Sequence, residues 1–246
     1  MLVAILSDIH ANREALDACL RHAKERGAEQ YAFLGDLVGY GADPGAVIDR
    51  VQELAAAGAW VVVGNHDRGV LGEGDATDGD AKVAVAWTRE VLSASQHQFL
   101  DGLPLTARVE RLLLVHSSAS KPHEFPYVRG SEAARESLKA TDATHTFVGH
   151  MHEQRLYYLG ADARAYTFVP TPGVAIPVAP HRRWLVVVGS VGQPRDRDNT
   201  AAYVTFDTSK RQVAFHRVPY DWEHAAARIR KAGLPDFFAQ RLEHGI

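Results

Sequence analysis

Cysteine is almost absent: Cys19 is the only one in 246 residues, so no disulfide framework holds the fold. It sits with Leu16, Leu20 and Ala23 at helical spacing, which makes it a small core residue rather than a nucleophile. Neither sign of charge dominates, with 27 Lys and Arg against 30 Asp and Glu. That balance gives no overall electrostatic footprint for nucleic acid or an anionic membrane, so a phosphate-bearing partner must be held by a local device. No apolar run approaches the roughly 20 residues needed to cross a bilayer, and the first apolar run follows Met1 without a basic leader. A cytoplasmic protein that does not engage membranes is the resulting expectation. The signature of disorder is missing too, because 46% hydrophobic and 23% charged residues are ordinary for a globular chain. One domain spanning residues 1–246 is expected at this length.

What is present is a series of short apolar runs with amphipathic stretches between them. Leu2 to Leu6, Tyr31 to Leu34, Trp60 to Val63, Leu112 to Val115 and Thr146 to Val148 read as buried strands. Arg13 to Arg26 carries a helical apolar face, and Pro44 to Ala57 opens with Asp43 as N-cap and Pro44 at the first helical position. This alternation predicts parallel crossovers in a helix-covered sheet. After about residue 105, strand-like runs at Arg108 to Val115, Gln154 to Leu159, Ala165 to Val169, Trp184 to Gly189, Ala202 to Phe206 and Gln212 to Val218 predict a second, largely antiparallel sheet. Trp222 to Leu242 should form two helices broken by Gly233 and Pro235. The acidic stretch Gly72 to Asp80 reads as a solvated loop, since it lacks the ligand spacing of a calcium site.

The apolar runs end in chemistry-bearing residues. The first runs into Ser7-Asp8-Ile9-His10-Ala11-Asn12, where a locally extended backbone would turn Asp8 and His10 to one side. The second ends in Gly35-Asp36, the third in Gly64-Asn65-His66-Asp67, the fourth in His116 and the fifth in Gly149-His150-Met151-His152. Carboxyl ends of strands are where open α/β sheets bind ligands. Two carboxylates, four imidazoles and one amide make a mixed oxygen and nitrogen set that suits manganese, iron or zinc better than calcium. Seven donors exceed the needs of one ion. Two ions about 3.5 to 4 Å apart can share a carboxylate, polarise a phosphoryl group and generate hydroxide at neutral pH.

The ordered set Asp8-x-His10, Gly35-Asp36, Gly64-Asn65-His66-Asp67, His116 and Gly149-His150-x-His152 resembles that of the calcineurin-like metallophosphoesterases. The resemblance implies that Asp8, His10, Asp36 and His152 hold one metal and that Asp36, Asn65, His116 and His150 hold the other, with Asp36 as bridge. It also implies an α/β fold, a four-layer α/β/β/α sandwich of two packed mixed sheets flanked by helices, and divalent ions with manganese first and iron, zinc or nickel as alternatives. Gly35-Asp36-Leu37-Val38-Gly39-Tyr40-Gly41 with Asp43-Pro44, and Gly189 to Asp196, are similar to a bacterial and archaeal subgroup of small phosphodiesterases and phosphatases. Met151 and Val187-Val188 depart from that subgroup and bear on substrate fit rather than on metal binding.

Hydrolysis of phosphodiester or phosphomonoester bonds in a small or nucleotide-like substrate by metal-hydroxide attack is therefore the expected activity. His66 is assigned to the leaving oxygen and Asp67 to orienting His66. Arg195 either forks onto phosphate oxygens or closes a surface ion pair. Asn12 and Arg68 either orient metal or substrate, or act as a cap and a solvated side chain. Tyr40 is expected to pack on the scaffold rather than stack on a base. His145 is expected to hydrogen-bond within the fold, and His22, His97, His216, His224 and His244 to be surface or packing residues. Three other functions remain: a non-catalytic scaffold of the same fold, a nuclease, which the acidic balance disfavours, and a protein phosphatase.

Overall fold

The structure is a computed structural model, and it describes residues 1–72 and 79–246. Most of the acidic stretch read as a solvated loop lies outside the described residues. Twelve strands run in chain order: β1 (Leu2–Leu6), β2 (Gln30–Phe33), β3 (Trp60–Val61), β4 (Thr106–Val109), β5 (Leu112–Val115), β6 (His145–Val148), β7 (Gln154–Leu159), β8 (Ala165–Phe168), β9 (Ala175–Pro177), β10 (Trp184–Val188), β11 (Ala201–Asp207) and β12 (Gln212–Val218). Eight α-helices accompany them among the described residues: α1 (Arg13–Glu25), α2 (Pro44–Ala56), α3 (Asn65–Leu71), α4 (Asp80–Val91), α5 (Ala94–Asp101), α6 (Gly130–Lys139), α7 (Trp222–Lys231) and α8 (Asp236–His244). None of the described helices is long and apolar enough to cross a membrane.

Two six-stranded sheets result, ordered β3-β2-β1-β11-β12-β9 and β4-β5-β6-β10-β7-β8. They build the expected α/β/β/α sandwich. Both sheets are mixed, as that sandwich has them, and the second, largely antiparallel in its pairings, also contains parallel neighbours. In the first, β1, β2 and β3 are parallel while β11, β12 and β9 join antiparallel. In the second, β5, β6 and β10 are parallel, with β4, β7 and β8 antiparallel at the sides. The cause is α6, which carries the chain from β5 to β6 as a crossover and left no signal in the apolar runs. The single run Arg108 to Val115 is likewise two strands, turned at Glu110, whose φ is +52°.

Continuous apolar strands follow from burial on both faces. Val3 and Ile5 of β1 pack between the sheets with Leu114, Phe147 and Val186, while Ala4 and Leu6 face a second core with Leu16, Cys19 and Val47 under α1 and α2. In β10, Val186 and Val188 join the inter-sheet core, and Leu185 and Val187 pack with Ala134 and Leu138 of α6. Cys19 is fully buried, and burial pushes its thiol well above the ordinary range, as its core assignment requires. Asp43 precedes α2 but makes no capping bond. Its carboxylate instead forms a bidentate pair with Arg228 of α7, fastening the C-terminal helices to the β2–α2 loop.

Candidate metal centre

The parallel strands of both sheets, β1, β2, β3, β5, β6 and β10, release their loops at one end of the sandwich. The loops after β1, β2 and β10 interlock through backbone bonds: Asp8 N–H donates to Gly35 O (3.1 Å), His10 N–H to Asp36 O (3.0 Å), Val191 N–H to Ser7 O (2.9 Å) and Gly192 N–H to Asp8 O (2.9 Å). Asp8 and His10 converge, but not through the extended backbone expected. Their φ values are +53° and +49°, and Asp36, His150 and His152 are left-handed too, at +50°, +64° and +58°. Each such non-glycine residue costs on the order of 1 to 3 kcal/mol, which the interlocked loops must offset. Gly64 stands where a Cβ would overlap the Asp36 amide and carboxylate, so only glycine lets the turn after β3 close over Asp36.

Three clusters of ligand-competent atoms result: Asp8, His10 and His152; His10, Asp36 and His66; and Asp36, His116 and His150, each with atoms within 4.8 Å of one another. Asp36 Oδ2 lies 3.7 Å from His10 Nε2 and 3.3 Å from His116 Nε2, between the two ends. Asp8 Oδ1 is 3.3 Å from His152 Nε2, and Asn65 Oδ1 is 3.0 Å from His116 Nε2. The structure thus brings all seven proposed donors together. His10, His116 and His152 each use Nδ1 on a backbone carbonyl, of Val38 (3.1 Å), Leu34 (2.8 Å) and Gln193 (2.6 Å). An imidazole that donates from Nδ1 presents a lone pair at Nε2, the tautomer a metal needs. Sequence reasoning missed these three carbonyls because a main-chain acceptor has no residue signature.

The donor set suits divalent cations. Burial opposes ionisation of Asp8, but His152 and His116 outweigh it and hold the carboxyl below its usual range. Asp36 behaves alike, with His116 and His66 overriding burial. Burial, helped by neighbouring imidazoles, lowers His10 and takes His150 down to about 3, while burial and Arg195 lower His152. His116 is the exception, since burial is overcome by Asp36 and the imidazole is held up at about 9. Its proton stands where a cation would. Two buried carboxylates facing imidazole nitrogens 3.1 Å apart, His10 to His152 and His116 to His150, form an arrangement that positive charge completes.

The remaining assignments divide. His66 enters the cup edge-on to His10, with ring centroids 4.9 Å apart, and its backbone N–H donates to Asp36 Oδ1 at 2.8 Å. Its Nδ1 is buried near Gly39 without a partner, and burial lowers its pKa. Asp67 does not orient it. The Asp67 carboxylate accepts from Leu37, Val38 and Gly64 N–H (2.9, 3.2 and 2.9 Å), clasping the Asp36 loop to the start of α3. Asn12 resolves to its capping alternative: Oδ1 accepts from Ala15 N–H, and Nδ2 donates to Gly192 O and Tyr220 Oη. Arg68 lies on the first turn of α3. Arg195 forms no ion pair among the described residues, and its backbone N–H donates to His152 O at 3.0 Å. Tyr40 packs on the scaffold against His10, His66 and Phe238, and His145 Nε2–H donates to Val178 O (2.8 Å) within the fold. Tyr127, which carried no motif signal, stacks on His150 with centroids 4.0 Å apart.

Residues 1–211 match the family model for the calcineurin-like phosphoesterase superfamily domain. The chain belongs to that superfamily. The chain is 34% identical to a metallophosphoesterase from Sphaerobacter thermophilus, covering 100% of both chains with a TM-score of 0.88. It is 32% identical over 252 aligned residues to the uncharacterized protein MJ0912 of Methanocaldococcus jannaschii, covering 98% of this chain and 97% of that one. Hypothetical protein PH1004 of Pyrococcus horikoshii shares the fold, with 23% identity, 100% and 98% coverage and a TM-score of 0.77. Members of the family depend on metal, and the Asp and His clusters of this chain are groups that could hold it.

Proposed function

We propose that the protein hydrolyses phosphoester bonds of small or nucleotide-like substrates with two divalent cations, manganese first among the candidates. Asp8, His10, Asp36 and His152 would hold one, and Asp36, Asn65, His116 and His150 the other. The observation that carries this reading is the position of the Asp36 carboxylate, within 3.7 Å of imidazoles from both ends of the cup. Cations held there would supply Lewis-acid polarisation of the phosphoryl group and acidify water at neutral pH.

The chain's own groups do the rest. His66, edge-on to the cup, donates from Nε2 to the leaving oxygen, because Nδ1 is turned into the protein against Gly39. Arg195, beside His152 at the rim of the cup, offers a guanidinium fork that suits phosphate oxygens of the substrate. Tyr40, buried against the His10 and His66 rings, screens them from bulk water, which strengthens the charge interactions inside.

The test is hydrolysis of phosphomonoesters, phosphodiesters and dinucleoside polyphosphates by metal-stripped protein, with and without manganese. Activity that returns with manganese and is lost in Asp36→Asn supports the reading. No hydrolysis of any compound, with metal demonstrably bound, overturns it in favour of a binding role.

A further inference from the structure

Arg195 and Arg241 come from opposite sides of the rim, one on the loop after β10 and the other in the last turn of α8. Both donate to one atom: Arg195 Nη2 and Arg241 Nη1 each lie 3.0 Å from Gln193 Oε1. Two like charges gathered on one neutral acceptor repel each other, and neither has a carboxylate partner among the described residues. The Nε of each is buried without an acceptor. Burial and the neighbouring Arg195 lower the Arg241 pKa, the mark of a cation held against its own preference. Arg217, by contrast, whose side chain is 13% exposed, is paired with Asp196.

The pair is also well placed. Arg195 lies over the Tyr40 ring, 5.7 Å from its centroid, and that ring is 4.5 Å from both His10 and His66. Arg241 stacks on Phe237 at 4.4 Å, which fixes its guanidinium plane. Gln193 is almost fully buried, and its carbonyl holds His152 Nδ1, so the two guanidinium groups are tied to the same residue that aims a proposed metal ligand.

We propose that Arg195, Arg241 and Gln193 form a second anion site beside the metal centre, which selects condensed phosphates: esters in which another phosphate adjoins the one attacked. The inference rests on the phosphoesterase reading for which phosphate is attacked, and it adds where the next one is held. An anion bridging the two guanidinium groups relieves their repulsion and accepts the donors that Gln193 Oε1 alone cannot satisfy.

Calorimetric titration of sodium tripolyphosphate and of orthophosphate into the metal-stripped protein tests this. Tripolyphosphate should bind at least tenfold more tightly, and Arg241→Gln should reduce that ratio about tenfold. Gln193→Glu, which places a carboxylate between the arginines without changing side-chain size, should abolish tripolyphosphate binding with an equal or higher melting temperature, so lost binding is not mistaken for lost folding. Equal affinities for the two anions, or a ratio unmoved by both substitutions, overturns the proposal. These titrations involve neither metal nor turnover, so a protein inactive on every phosphoester can still pass them and an active one can still fail.

Discussion

His66 and Asp67 are chain neighbours that serve different ends. His66 leans into the cup edge-on to His10, while Asp67 spends its carboxylate on three backbone N–H groups. Replacing His66 with alanine should lower kcat about 10²- to 10³-fold, the usual worth of a positioned proton donor. Bound metal, measured by elemental analysis, should stay unchanged, because the seven donors above are untouched. A fall in metal content in step with activity would instead make His66 a ligand, which its closeness to His10 and Asp36 permits. At this scale the proposed donors were legible because each sits within a few residues of an apolar run's end. Partners distant in sequence were not: the Leu34, Val38 and Gln193 carbonyls that aim three imidazoles, the stacking of Tyr127, and Arg241, 46 residues beyond Arg195 with no pattern joining them.

Among the elements, β1, β7 and β12 fall on the bounds read from the sequence, because strands buried on one or both faces are continuous or alternating in apolar content. The helices α4, α5 and α6 were not anticipated. α6 lies over the second sheet and α4 and α5 pack on α2 and α3, all with narrow apolar stripes, such as Ala134 and Leu138 of α6, and they announce themselves mainly by caps such as Ser93 with Gln96. Missing α6 hid the β5–β6 crossover, and with it the parallel pairing of those two strands. The turn from β3 into α3 makes a sharp demand on a single residue. A methyl group at Gly64 overlaps Asp36, so Gly64→Ala should cost on the order of 1 to 3 kcal/mol of stability. It should also weaken manganese binding at least tenfold, read by thermal melts and by metal titration. Normal melting and normal metal affinity would show that the α3 start can shift without disturbing Asp36.

In the whole molecule, His216 sets an acid limit away from the candidate site. It is buried on β12, bonded to Thr205 Oγ1 at 2.8 Å and stacked on Tyr203, and burial together with His22 and Arg26 takes its pKa down to about 4. The unfolded chain binds its proton near pH 6.5 and the folded chain only near 4, so its contribution is present above pH 6.5 and fades as pH falls through 4. The effect is on the order of 2 to 3 kcal/mol. His216→Gln should flatten the decline in melting temperature between pH 6.5 and 4, and an unchanged slope would assign the acid sensitivity elsewhere. Metal should act in the opposite sense. Manganese at a hundred times its Kd adds about 2.7 kcal/mol, so the melting temperature should rise roughly 5 to 10 °C over the stripped protein.

The first sheet supplies Asp8, His10, Asp36 and Asn65 through β1, β2 and β3, and the second supplies His116, His150 and His152 through β5 and β6. Each proposed ligand set therefore draws on both sheets, and neither sheet alone carries a complete one. A cation seated there works as a rivet through two plates: prying the sheets apart must release it, and it cannot be seated until they have met. Metal uptake would then clock the last docking step of folding, and metal loss would be an early sign of mechanical failure at the seam.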